Sequence, residues 1–280
     1  MNAYDDRPCE LGEGPLWHPE RRQFFWFDIL NRRLLSRDGG RAREWRFDRM
    51  ASAAGWVDRD RLMIATETGL ALLDLRDGSL GDVAAVEADD PETRSNDGRA
   101  DRQGGFWFST MGKSAQAGRG SIYRYYRGQV RRVVEGLTIS NAICFAPDGR
   151  SAYYSCTKAA TVWWLPLDAD GWPDGPAQLF LDLSPEGANP DGAVVDSEGG
   201  FCCALWGLGA VRRYDADGKQ THQIAVPGRH SSCPAFGGED FRDMLVTTAL
   251  EGIEKPDALQ GLPYLVRAPF PGLPEPRVIL

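Results

Sequence analysis

Histidine is scarce in this chain: only His18, His222 and His230 occur in 280 residues, and none lies within metal-ligand spacing of another. A zinc site of the His-Glu-x-x-His type is therefore excluded. The six cysteines, Cys9, Cys144, Cys156, Cys202, Cys203 and Cys233, also lack paired metal-ligand spacing, and the adjacent Cys202 and Cys203 point to opposite faces of a strand. They read as small buried hydrophobes of a reduced protein. There is no Gly-x-Ser-x-Gly elbow and no glycine-rich loop of the Walker or dinucleotide type. Serine-hydrolase and nucleotide chemistry lose their usual support.

A dense basic run is missing as well. The formal charge is −8, from 32 basic and 40 acidic side chains, with the arginines scattered through turns and strand faces. Neither nucleic acid nor an anionic membrane is an expected partner, since both need clustered Lys and Arg. No apolar run is long enough to span a bilayer. Residues 1–11, with Asp5, Asp6, Arg7 and Pro8, have no apolar h-region of a secretory signal, so a cytoplasmic location is expected. No segment holds sustained apolar residues at helical spacing, while 32 glycines and 18 prolines punctuate the chain, which favours an all-β fold. No linker interrupts this pattern, so one domain over 1–280 is expected. The sequence carries no sign of oligomeric state.

What the chain does contain is a repeat of roughly 40 to 50 residues, the length of a four-stranded propeller blade. Tight turns at Glu20-Arg21, Asp58-Arg59-Asp60, Gln103-Gly104, Asp148-Gly149, Glu198-Gly199 and Gly237-Gly238-Glu239 mark six units. Each turn leads into a short apolar run such as Phe24-Phe25-Trp26-Phe27, Phe106-Trp107-Phe108 or Met244-Leu245-Val246. These runs have the length of strands and not of helices. A six-bladed β-propeller is the predicted architecture, because its blades leave only short, protected edges.

One register recurs within the repeat. Glu13, Asn96, Asn141 and Asp191 each stand seven residues before one of these turns. Equal register means an equal place in each unit, so four oxygen-bearing side chains distant in sequence can meet at the propeller's centre. Two carboxylates would balance a divalent cation and two neutral amides would fill coordination without overcharging it. Such an all-oxygen set suits Ca²⁺, Mg²⁺ or Mn²⁺, and is compatible with Zn²⁺ or Fe²⁺. In the other two units the corresponding region holds small residues, Ser52-Ala53-Ala54 and Ser231-Ser232. Arg94 and Asn96 are two residues apart, so in an extended segment they face the same side, and Asp97 points away to brace the loop.

Five motifs in order, Leu11-Gly12-Glu13-Gly14-Pro15-Leu16-Trp17, Ser95-Asn96-Asp97-Gly98-Arg99-Ala100-Asp101, Ser140-Asn141-Ala142, Pro190-Asp191-Gly192-Ala193-Val194-Val195-Asp196 and Ala235-Phe236-Gly237-Gly238, resemble those of the gluconolactonase/regucalcin (senescence marker protein) family. The resemblance spans nearly the whole chain. It implies a six-bladed propeller with one divalent metal in a central tunnel, hydrolysing sugar lactones. By the same resemblance Glu13, Asn141 and Asp191 correspond to metal ligands, Asn96 to a residue beside the metal that contacts substrate, and Arg94 to a substrate-binding arginine. Some relatives carry a carboxylate shortly before the strand at Gly120; this chain reads Gln116-Ala117-Gly118-Arg119 there, so one sugar contact differs.

The chemistry expected is opening of an aldono-1,4- or 1,5-lactone to the aldonic acid. It needs a polarised carbonyl, a water nucleophile and a proton acceptor, the last assigned to Asp191. Arg94 and Asn96 would hold ring oxygens and hydroxyls, with Gln116 and His230 as open candidates for further contacts. Two alternatives stand beside this reading: a metal-dependent esterase or organophosphate hydrolase, and a non-enzymatic calcium-binding propeller.

Overall fold

An apolar strand whose successive residues point to opposite faces must cover both, and a ring of face-to-face sheets does that. In the structure, a computed structural model describing residues 2–280, six four-stranded antiparallel sheets follow one another along the chain. Met1 lies outside the described residues, and with it the first residue of the expected 1–280 domain. The innermost strands are Gly12–His18, Ala51–Asp58, Thr93–Ala100, Ser140–Phe145, Asn189–Val195 and His230–Gly237. They touch one another in ring order, and His230–Gly237 against Gly12–His18 closes the circle. The protein is an all-β six-bladed propeller, as the repeat predicts. Helical structure among the described residues is limited to two three-residue 3₁₀ turns, Thr157–Ala159 and Ser184–Glu186.

Blade six is completed by the other end of the chain. Asn2–Ala3 forms its outermost strand, with Asn2 opposite Leu265 and Ala3 opposite Tyr264. Two residues carry no periodic signal, so this closure is not foreseen by the sequence.

The core lies in the seams between blades, one apolar cluster to each. In blade one Phe25 and Phe27 face Leu62 and Ile64 of blade two, whereas Phe24 and Trp26 face Ala235 and Leu245 of blade six. Alternation along the second strand thus serves two different neighbours. Burying each such aromatic contributes roughly 1.5–3 kcal/mol, which is why these strands read as unbroken apolar runs. Trp107 belongs to the seam with blade four, edge-on to Phe145 with ring centroids 5.4 Å apart.

The chain's last residues cross one end of the tunnel, called here the far end. Gly272 donates to Phe241 O, Val278 to Trp56 O and Ile279 to Gly104 O, which ties the tail to blades six, two and three. Beneath this strap Arg99, from the inner strand of blade three, forms a buried ion pair with Glu275 of the tail.

Candidate functional site

At the opposite end the inner strands share one irregularity. Each slips register beside the residue at the recurring position: between Glu13 and Leu16, Ala51 and Ala53, Ser95 and Gly98, Asn141 and Cys144, Pro190 and Ala193, and Ser231 and Pro234. A bulge adds local twist and re-aims a side chain, and six in equivalent places build a ring. Glu13, Ser52, Asn96, Asn141, Asp191 and Ser232 occupy it, and all are buried. Gly14 shows why the local sequence matters. It sits at φ 51°, and a side chain there would run into the backbone of Ser52 in the next blade.

Glu13, Arg94, Asn96, Asn141 and Asp191 all line one cavity of about 400 Å³. Four of them form a single donor chain. Arg94 Nη1 donates to Asn96 Oδ1 at 2.8 Å, Asn96 Nδ2 to Asn141 Oδ1 at 3.1 Å, and Asn141 Nδ2 to Asp191 Oδ1 at 2.6 Å. Second bonds fix the amides: Asn96 Nδ2 also donates to Ser140 O and Asn141 Nδ2 to Thr157 Oγ1, both at 3.0 Å. Thr157 Oγ1 in turn donates to Pro190 O at 2.7 Å, tying blade four to the backbone next to Asp191. Asp97 accepts from the amides of Gly98 at 2.8 Å and Ile143 at 2.7 Å, the bracing role its direction suggests.

The two carboxylates carry the ring's negative charge. Glu13 Oε2 accepts from the Gly14 amide at 3.0 Å, and neither Glu13 nor Asp191 forms an ion pair among the described residues. Burial pushes the Glu13 carboxyl up to about 8, with the charge of Asp97 adding to it. Burial, then the charge of Glu13, raises Asp191 well above the usual carboxylate range. Burial lowers Arg94, against the attraction of Glu251, Glu13 and Asp191.

Such a pair is the complement of a cation. Two buried carboxylates without a basic partner, beside two primary amides whose oxygen and nitrogen exchange on a half-turn, make a hard-oxygen donor set. Among the described residues no three His, Cys, Asp or Glu side chains gather closely enough to hold an ion. The residues therefore fit a divalent metal only as a mixed carboxylate and amide site, Glu13, Asn141 and Asp191 with Asn96 alongside.

Other candidates fall away from the cavity. His230 stands behind Trp206, its ring stacked on the indole at 4.4 Å, and its Nδ1 pairs with Glu251 O at 2.9 Å. Gln116 does not line the cavity; its Oε1 accepts from the Ser114 amide at 3.1 Å and its Nδ-equivalent amide nitrogen, Nε2, reaches Glu92 at 3.4 Å. Four residues that the sequence analysis does not place in the site, Lys113, Thr157, Trp206 and Glu251, also line the cavity. They sit at or just past the end of the second strands Phe106–Gly112, Ser151–Cys156, Phe201–Trp206 and Asp243–Ala249. The signal was available: one hairpin beyond each ring residue, the chain returns to the same end of the propeller.

Comparison with known proteins shows what the chain is similar to. The model of the SMP-30/Gluconolactonase/LRE-like region matches residues 11–250. Among similar proteins, a 6-deoxy-6-sulfogluconolactonase of Pseudomonas putida is 32% identical over 96% of this chain and 95% of its own. An L-arabinolactonase of Azospirillum brasilense is 34% identical over 91% and 85%. The crystal structure of a calcium-binding protein, regucalcin, from Agrobacterium tumefaciens superposes with a TM-score of 0.96 at 38% identity, covering 99% of this chain and 97% of that one.

Proposed function

The chain belongs to the SMP-30/gluconolactonase/LRE-like family, and we propose that it is a divalent-metal-dependent sugar lactonase opening aldono-1,4- or 1,5-lactones to aldonic acids. One observation carries the reading: Glu13, Arg94, Asn96, Asn141 and Asp191, from four blades, line a single cavity with the two carboxylates left without a basic partner. Relatives named as lactonases of six-carbon and five-carbon sugar acids support the substrate class.

Glu13, Asn141 and Asp191 would hold the metal. When bound, it supplies Lewis acidity toward the lactone carbonyl and offsets the two carboxylate charges. Arg94 and Asn96 bind ring oxygens and hydroxyls, Arg94 with further N–H groups beyond the one it spends on Ser95 O and Asn96. Asp191 keeps Oδ2 free of hydrogen bonds among the described residues, and this oxygen takes the proton of the attacking water. As the ring C–O bond breaks, that proton passes to the departing alkoxide, and the products are a carboxylic acid and a hydroxyl. The Asn96 and Asn141 amides orient Asp191 through the donor chain.

The test is a panel of gluconic, galactonic, arabinonic and xylonic lactones assayed with Ca²⁺, Mg²⁺, Mn²⁺, Zn²⁺ or Fe²⁺ after chelation. Activity lost on chelation and restored by a single ion is the expected result. Full turnover by metal-free protein would overturn metal dependence. Calcium binding with no lactone turned over would favour a binding protein, the reading that the likeness to the calcium-binding regucalcin keeps in view.

A further inference from the structure

The cavity has two unlike sides. Arg94 and Asn96 stand on blade three, while across the tunnel the wall from blades five and six is made by Trp206 and Glu251. Lys113 on the blade-three side already has a partner, its Nζ lying 2.7 Å from Glu67. Glu251 is different: its carboxylate makes no hydrogen bond or ion pair among the described residues, although its main chain is pinned at both ends. The Glu251 amide donates to Glu10 O at 2.9 Å, and Glu251 O pairs with His230, whose ring backs Trp206. An exposed but anchored carboxylate beside a flat indole, facing a cavity, offers acceptors for hydroxyls and a face for carbon-bound hydrogens.

We propose that Glu251, flanked by Trp206, is a specificity-determining residue: it accepts hydrogen bonds from the hydroxyls at the substrate edge opposite Arg94 and Asn96, and it excludes lactones that carry an anionic group there. The inference rests on the lactonase reading above. A neutral polyol lactone gains a charge-assisted bond at Glu251, worth roughly a factor of ten in binding. A carboxylate or sulfonate at the same place meets a like charge, and such juxtaposition is a device against a wrong ligand. The protein would then differ in substrate charge from its sulfogluconolactonase relative, whose substrate, by that enzyme's name, carries a sulfo group.

The experiment compares D-glucono-1,4-lactone with D-glucaro-1,4-lactone, which share a ring and differ by a terminal hydroxymethyl against a carboxylate. Wild type, Glu251→Gln and Glu251→Lys are assayed as metal-loaded protein, and binding of both lactones to the chelated protein is measured by calorimetry. Wild type is expected to prefer the neutral lactone at least tenfold in kcat/KM. Glu251→Gln should narrow that preference about tenfold and Glu251→Lys should invert it, with the same order in Kd. An unchanged ratio in both variants, or a wild type favouring the glucarolactone, overturns the inference while leaving the lactonase reading intact. If wild type turns over neither lactone, nor any other in the panel, the lactonase reading fails; the calorimetric ratio then decides on Glu251 alone, an unchanged ratio counting against it.

Discussion

The two ends of the tunnel handle buried charge in opposite ways. At the far end every buried acid has a base. Glu275 of the terminal strap pairs with Arg99, Asp101 with Arg124 at 2.6 Å and Asp196 with Arg213 at 2.5 Å. Asp101 also accepts from the Gly105 amide and the Trp107 indole, and Asp196 from the Gly200 amide. At the entrance Glu13 and Asp191 are as deeply buried, yet they contact amides and feel each other's like charge, and Arg94 in the same cavity forms an ion pair with neither. A fold able to neutralise carboxylates a few residues away leaves these two without an ion pair; Asp97 next to them has none either, but it is held by the amides of Gly98 and Ile143. That contrast separates charges that hold the propeller together from charges kept for a cation and a substrate.

The largest expected effect breaks the comparison at the entrance. Asp191→Asn keeps the shape and can still meet Asn141, but it removes the proton acceptor. Turnover of the best lactone should fall about 10²–10⁴-fold, as when a general base is lost, while the unfolding midpoint changes little. Wild-type kcat in a folded variant would remove Asp191 from the chemistry.

The second effect belongs to the far end, where stability and not turnover should respond. Glu275→Gln leaves the Arg99 guanidinium buried without a counter-charge, and breaking a buried pair in this way costs about 3–5 kcal/mol. Urea unfolding measures it. Replacing both partners by apolar residues, Arg99→Met with Glu275→Leu, should return most of that loss, because no charge is then stranded. Activity per folded molecule should stay near wild type in both variants. A double variant no better than the single one would mean that the strap, and not the charge pair, stabilises this end.

The blades and the ring at the entrance were legible in the sequence, the paired charges at the far end were not, and the reasons are physical. The turns and apolar runs repeat because each blade must bury two faces against similar neighbours, so the six-unit architecture stands in plain view. The ring residues were legible because one bulge recurs at one register. Asn2–Ala3 was not, since a two-residue strand owes its place to long-range pairing with Tyr264 and Leu265. Arg99 and Glu275 were not, because their partnership spans most of the chain and neither repeats. Glu251 and Thr157 escaped because they sit in the connections past the second strands, Thr157 at the start of a 3₁₀ turn, where spacing varies from blade to blade and period-two patterning has already ended.

The smallest expected effect sharpens the comparison through pH. His18 lies at the far end of the inner strand of blade one, fully buried, where Nε2 pairs with Asp58 O at 3.0 Å and Nδ1 accepts from the Arg21 amide at 3.3 Å. The neutral ring with its proton on Nε2 satisfies both contacts; a protonated ring would lose the second, since Nδ1 would then carry hydrogen. Burial lowers the His18 pKa below its ordinary 6.5, with the Arg21 charge acting the same way against Glu20. In the window between that lowered value and about 6.5 the unfolded chain binds more protons than the folded one, so stability rises with pH there. The contribution is fully present above pH 6.5 and is lost as pH falls toward the folded pKa. Because only one hydrogen bond is at stake, about 1 kcal/mol is expected. Thermal unfolding of wild type and His18→Gln between pH 7.5 and 5 measures it. The wild type should lose stability more steeply than the variant, whose turnover should keep the wild-type pH profile. Parallel stability curves would show that His18 does not titrate on unfolding, and a shifted activity profile would mean that the far end is coupled to the chemistry after all.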